Sequence, residues 1–161
     1  MPESRPRRLT LLYQLYLVSQ ASRAVVKRSL AGTGMTGEEY ALYSYLYANG
    51  ARTLSQGARD LGMPLTTLAT LLQGPVERAD VARGPHPHDR RARLLSLTDA
   101  GRERLEAAMP AFTAGYRAIL AELEANGADS EALFAALEEL RTAIAAAAAR
   151  LAGEEGATGA G

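Results

Sequence analysis

The 161-residue chain predicts a mainly α-helical protein interrupted by one β-hairpin, in the order helix, helix, helix-turn-helix, hairpin, long helix, helix. Three observations carry this expectation. Ala and Leu dominate while aromatics make up only 6% of the chain, which favours helix because Ala loses least entropy there. Capping boxes, Thr followed three residues on by Glu or Gln, stand just ahead of apolar residues at helical spacing. Around Gly84 to Asp89 the pattern changes to short strands flanking a Pro/Gly/Asp loop. The length suits one compact domain, and a hydrophobic content of 47% excludes a disordered chain.

The elements follow in order. Leu9 to Leu30 places Leu12, Leu15, Tyr16, Ser19, Ala24, Val25 and Val26 at approximate helical spacing, and Gly32 and Gly34 end this first helix. Thr36 with Glu39 opens the second, whose Tyr40, Tyr43, Leu46 and Tyr47 share a face until Asn49-Gly50. Thr53 with Gln56 opens a short third helix carrying Leu54, Ala58 and Leu61, ending at Gly62. Pro64 fits a first helical position, after which Leu65, Leu68, Leu71 and Leu72 form an inward stripe opposite Thr66, Thr70 and Gln73. A short helix, a Gly turn and a second helix with small Ala58 at the crossing suit a helix-turn-helix, and on these residues alone any helical hairpin is the alternative. Gly74-Pro75 predicts a kink or an early end near Gln73, because Pro removes a backbone hydrogen bond.

Val81 to Arg83 and Arg93 to Leu97 read as the two strands of the hairpin. Thr98-Asp99 caps a long helix to about Ala125, with Leu105, Met109, Phe112, Tyr116, Ile119, Leu120 and Leu123 as its apolar stripe and a bend expected at Pro110. Asp129 or Ser130 caps the last helix, which carries Leu133, Phe134, Leu137, Leu140, Ile144 and Leu151. The Gly/Ala/Glu stretch 153–161 reads as a disordered tail. The outer helices carry more apolar stripe than one small domain buries, so a homodimer is expected.

Composition removes several classes of function. With no Cys there is no disulfide, thiolate chemistry, Cys zinc site or thiol redox switch. The apolar run after Arg5, Arg7 and Arg8 resembles a signal peptide, but Tyr13-Gln14 and Ser19-Gln20 interrupt it and no small-residue cleavage pattern follows. No apolar stretch reaches the roughly 20 residues of a membrane span, so a cytoplasmic chain without membrane contact is expected. The formal net charge is zero, with 18 basic and 18 acidic residues, yet the distribution is uneven. Arg78, Arg83, Arg90, Arg91, Arg93, Arg102 and Arg104 cluster, whereas the chain beyond Ala118 is acidic. Such asymmetry permits nucleic-acid binding at one end.

His88-Asp89-Arg90-Arg91-Ala92-Arg93-Leu94-Leu95-Ser96-Leu97-Thr98-Asp99-Ala100-Gly101-Arg102 resembles the D-x-R wing and following L-T-x-x-G-R of the MarR family of bacterial transcriptional regulators. Thr36 to Tyr40 and Leu54 to Met63 stand in the order that family expects, and the likeness spans roughly Leu9 to Leu151. It implies a winged helix-turn-helix at 35–98, with a recognition helix at about 64–76 and a wing at 81–97, between dimerisation helices at 1–34 and 99–152. It further implies a homodimeric repressor on double-stranded, pseudo-palindromic DNA, released by a small aromatic or phenolic effector. The DNA-facing set is then Arg52, Thr53, Ser55, Pro64, Thr66, Thr67, Thr70, Gln73, Arg83, Arg90, Arg91 and Arg93. Arg91 matches the minor-groove wing Arg, Asp89 the acid that orients it, and Arg90 and Arg93 phosphate contacts. Two departures stand out: the recognition helix lacks the usual Arg or Lys, and Ala79-Asp80 replaces the usual Gly-Leu before the first wing strand. The first, with the Gly74-Pro75 break, motivates an alternative reading as a winged-helix protein-interaction module, and a regulator without a small-molecule effector is the other alternative.

Tyr13, Tyr16, Tyr40, Tyr43 and Tyr47 are candidate ligand residues near the family's pocket, with Arg23 or Lys27 to pair an anion. Core and interface packing at helical spacing is the competing reading of Tyr40, Tyr43 and Tyr47, and surface charge that of Arg23 and Lys27. His86 and His88 beside Asp89 read as plain wing residues rather than metal ligands. No cofactor is expected, and no catalytic constellation or Gly-rich phosphate loop is present, which argues against an enzyme.

Overall fold

The computed structural model describes residues 10–89 and 91–158. The chain forms two compact units, Met1–Gly115 and Tyr116–Gly161, where length alone suggested one. In the first unit, α1 (Leu11–Ser29) is capped by the Thr10 hydroxyl and α2 (Gly37–Asn49) by the expected Thr36/Glu39 box. α2 stops at Gly50, whose φ of 72° suits a residue without a side chain. α3 (Leu54–Asp60) opens on the expected Thr53/Gln56 box.

α4 (Leu65–Leu71) begins after Pro64, which occupies the capping position rather than the first turn. The expected interruption is present: α4 ends at Leu71 and α5 (Gln73–Glu77) restarts beyond Leu72. Pro75 has no N–H to offer the preceding turn, while the Leu72 and Val76 amides still bond to the carbonyls of Leu68 and Leu72, so the chain remains coiled through the break. The recognition helix expected at 64–76 is therefore two short helices.

The hairpin is β2 (Val81–Pro85) against β3 (Arg93–Leu97), antiparallel, with Val81 facing Leu97 and Arg83 facing Leu95. The sequence reading omitted a third strand, β1 (Arg52–Thr53), which pairs with the other edge of β3 and gives the order β1-β3-β2. Two residues are too short for a visible alternation, and Thr53 doubles as the cap of α3. Val81, Leu95 and Leu97 join Leu42, Tyr43, Leu68, Leu72 and Leu105 in the core.

α6 (Asp99–Ala125) is a 27-residue helix with Pro110 inside it. Its start is fixed by Thr98, whose N–H donates to the Asp80 carbonyl at 3.0 Å, whose hydroxyl donates to the Ala79 carbonyl at 2.7 Å, and whose hydroxyl oxygen accepts from the Gly101 N–H at 3.1 Å. A side chain on Gly101 would collide with the Asp80 carbonyl, so the glycine of the L-T-x-x-G-R segment is a clearance for this contact. In the second unit, α7 runs from Ser130 to Thr158, so helix extends into the stretch read as a tail from residue 153, whose last three residues lie outside the described ones. Once a helix is nucleated each further residue adds a hydrogen bond, and the roughly 1 kcal/mol cost of a Gly does not terminate an Ala- and Glu-rich run.

Between α5 and β2 the chain packs charge where the family resemblance places an apolar residue. Asp80 is 3% exposed. Its Oδ2 accepts from the Tyr43 hydroxyl at 2.8 Å and from Arg78 Nε at 3.0 Å, and Arg104 Nε lies 3.1 Å away without a well-aligned hydrogen bond. Arg78 also donates through Nη2 to Glu39 Oε1 at 2.6 Å. Burial alone pushes the Asp80 carboxyl up, but the hydrogen bonds from Tyr43 and Arg78 and the charges of Arg104 and Arg78 together outweigh it, holding it below the ordinary 3.8. Burial first, and then donation to Asp80, push the Tyr43 phenol up to about 12.

Two predictions follow from this junction. Ala79 has a φ of 59°, in the left-handed region that costs a residue with a Cβ about 1–2 kcal/mol. Ala79→Gly should relieve that strain and, after the extra unfolded-state entropy of Gly, gain about 0.5–1 kcal/mol, read as a higher urea midpoint. A lower midpoint would show that the backbone there is unstrained. The second concerns acid. Because the folded Asp80 carboxyl titrates below its unfolded value, the stability it contributes is present above 3.8 and is lost as pH falls through the folded value. Asp80→Asn should therefore cost on the order of 3 kcal/mol at pH 7 and flatten the acid limb of stability against pH. An unaltered acid limb would remove Asp80 from the account.

Candidate nucleic-acid interface

α3 and α4 cross closely because the residue between them is small. A Cβ on Gly57 would stand 3.1 Å from Leu68 Cδ2, tighter than ordinary contact. Gly57 and Ala58 are buried, and the Tyr45 hydroxyl donates to Asp60 Oδ2 at 2.7 Å, fastening the end of α3 to α2. The neighbouring Gly62 has a φ of 64° and makes the turn into α4. Leu68 and Leu72 hold α4 on the core, and Thr66, Thr67, Thr70 and Gln73 are exposed as expected.

The wing tip is set by a local turn. Asp89 Oδ1 accepts from the Arg91 backbone N–H at 2.8 Å, and the Asp89 carbonyl accepts from the Ala92 N–H at 3.2 Å. Asp89 thus orients Arg91 through the backbone rather than through its guanidinium. Arg91, Arg83 and Arg93 are exposed, the latter two on β2 and β3. Arg90 lies outside the described residues. Arg52 and Thr53 form β1, where Arg52 Nη1 donates to the Ala51 carbonyl and Thr53 spends its hydroxyl on the α3 cap. Ser55 is exposed in the first turn of α3 and Pro64 is exposed before α4. His86 and His88 share a backbone-to-ring hydrogen bond, and among the described residues no group of three potential ligands could hold a metal ion.

The tyrosines separate. Tyr43 is fully buried with its hydroxyl on Asp80, and Tyr40 stacks on Phe112 with ring centroids 4.2 Å apart. Both take the packing role that the sequence offered as the alternative to a ligand contact. Tyr13 and Tyr16 stack on each other on the exposed side of α1, and Tyr47 is exposed on α2. A groove of about 730 Å³ does lie beside α1 and α2, lined among others by Ser22, Arg23, Val26, Lys27, Met35 and Met63. Of the expected ligand residues Arg23 and Lys27 line it and none of the tyrosines does, and Arg23 Nη1 is 3.3 Å from Glu38 Oε1. The cluster of Glu39, Arg78, Asp80 and Arg104 escaped sequence reasoning. Its one visible signal was an acidic residue at position 80, between a helix and a strand that both enter the core.

Two closely crossing helices, a sheet and an Arg-bearing hairpin loop define a winged helix-turn-helix. No protein-family model and no curated protein matches the sequence. Solved structures are similar over most of its length. A probable transcriptional regulator from Pseudomonas aeruginosa is 27% identical, covering 81% of this chain and 96% of its own, with a TM-score of 0.72. The transcriptional repressor CouR bound to a 23-mer DNA duplex is 25% identical, covering 84% and 92%, with a TM-score of 0.68. A mutant MarR from E. coli complexed with operator DNA is 22% identical, covering 83% and 92%, with a TM-score of 0.69. The chain has the winged-helix fold of MarR-type regulators, and the solved structures it resembles are regulators of transcription.

Proposed function

We propose that the chain is a DNA-binding transcriptional regulator, a homodimeric repressor of the bacterial cytoplasm that occupies pseudo-palindromic operators and is released by a small aromatic or phenolic ligand. The observation that carries the reading is the wing, where Asp89 fixes the backbone of Arg91 at an exposed loop beside the helix-turn-helix. A planar, weakly hydrated guanidinium suits a narrow minor groove, where the potential is most negative. CouR and the mutant MarR, of the same fold, were solved on DNA.

The homodimer is supported by unpartnered apolar faces. On α1, Leu11, Leu12, Tyr16 and Val18 are all more than half exposed. In the second unit Phe134, Leu137, Ile144 and Leu151 are exposed on α7. A monomer leaving these rows in water would be unusual. For the effector, the groove volume falls in the range of small-molecule sites, and Arg23 and Lys27 offer charge to a carboxylate or phenolate. The uncharged face of α4 favours a second reading, a winged protein-interaction module, and DNA binding by the purified protein separates the two. Fragments of the DNA upstream of its own gene should give saturable, salt-sensitive and sequence-selective complexes.

On the same fragments Arg91→Ala should weaken binding by about 1–3 kcal/mol, a fivefold to 150-fold rise in Kd by fluorescence anisotropy. An unchanged Kd would take Arg91 out of the interface. Leu12 is 69% exposed, and Leu12→Glu places a charge in the α1 row without touching the core. Sedimentation should show a dimer for the wild-type protein and a monomer of unaltered circular dichroism for the variant. A wild-type monomer, or a variant dimer, would contradict the role given to α1.

A further inference from the structure

The recognition surface carries an unusual chemistry. From Gly62 to Val76 the chain has no charged residue. The side chains left exposed on α4 and at the start of α5 are Leu65, Thr66, Thr67, Thr70 and Gln73. Leu65, at 49% exposure, is an apolar group with no partner. The Thr70 hydroxyl donates to the Thr66 carbonyl at 3.0 Å, which withdraws that donor from any ligand. What this face offers is methyl groups, the hydroxyls of Thr66 and Thr67, and one amide, Gln73, able to donate and accept in two-point fashion.

The major groove offers one apolar group, the C5 methyl of thymine, and Gln pairs in two-point fashion with the N6 and N7 of adenine. Guanine is read best by a forked cation, which this surface lacks. Resting on the DNA-binding reading above, we infer that α4 and the start of α5 select A·T base pairs, with Leu65, Thr66 and Thr67 against thymine methyls and Gln73 on adenine. The wing favours the same DNA, because A-tracts supply the narrow minor groove that attracts Arg91. Both contacts of a half-site then demand A·T-rich duplex, and specificity is achieved without a guanine contact from this helix.

The experiment is selection of the full-length protein on random-sequence duplexes, followed by resynthesis of the best duplex with deoxyuridine for thymidine at the positions it protects in the major groove. Uracil keeps every hydrogen-bonding group and removes only the methyl. Half-sites should emerge A·T-rich, and each uracil under the helix should raise Kd about fourfold, the equivalent of one buried methyl at about 0.8 kcal/mol. Thr66→Val should keep the preference for thymine over uracil and Thr66→Ser should lose it at that position, since both are conservative surface changes. Selective binding to G·C-rich half-sites, or selective binding insensitive to uracil, overturns the inference and leaves the DNA-binding reading intact. Enrichment of no sequence overturns both.

Discussion

Asp80 stands where the chain leaves α5 and enters the first wing strand, and it carries a charge into the core at that point. A carboxylate there is tolerable only if its desolvation is offset by partners, and those partners come from three different elements. Tyr43 belongs to α2, Arg78 to the end of α5, and Arg104 to the first part of α6. Arg78 is itself tied to Glu39 in the capping box that opens α2. The backbone of the same two residues, Ala79 and Asp80, receives the Thr98 clamp at the start of α6. The geometry of α5, wing and α6 in the first unit therefore converges on one junction. An apolar residue at position 80 would fill the space, but it would supply none of the directional bonds that fix how these elements meet. The left-handed backbone at Ala79 is the local cost of turning the chain into that position.

The charge distribution gives this rigidity a purpose under the proposed function. With a net charge of zero, the chain has no overall field to attract DNA, so attraction must be local. Arg78 and Arg104 belong to the basic cluster seen in the sequence, yet they are committed to internal carboxylates. Arg102 is paired with Asp99 on the surface. Among the described residues of the cluster, Arg83, Arg91 and Arg93 remain exposed on the wing. A short sheet with β3 held on both edges presents that set on a stiff support, and stiffness matters because a mobile cation must be ordered on binding.

The legible parts of the fold were those written in local chemistry. Both capping boxes, the Gly stops, the interruption ahead of Pro75 and the hairpin around residues 84–89 rest on interactions between residues a few positions apart. β1 was hidden because two residues have no periodicity and because Thr53 was already explained as a cap. Gly153 and Gly156 look like breakers in isolation, whereas α7 as an established helix continues past them. The junction was hidden for a different reason. Glu39 to Arg78 and Tyr43 to Asp80 are contacts made across 39 and 37 residues, and only the oddity of an acid at position 80 pointed toward them. The tyrosines show the same limit, since α2 spacing placed Tyr40, Tyr43 and Tyr47 on one face and left packing and ligand contact both open, and two of them are taken up by packing.

The groove and the junction meet in the first turn of α2. Thr36, Gly37 and Glu38 line the groove, Glu38 faces Arg23 across it, and the next residue, Glu39, holds both the Thr36 N–H and Arg78. Arg23 and Glu38 are exposed, so their pair contributes little and is easily exchanged for a ligand anion. Arg78 and Glu39 are far less exposed to solvent on the carboxylate side, and their bond is short. The turn has two neighbouring acids with opposite commitments, Glu38 to Arg23 at the groove and Glu39 to Arg78 at the end of α5.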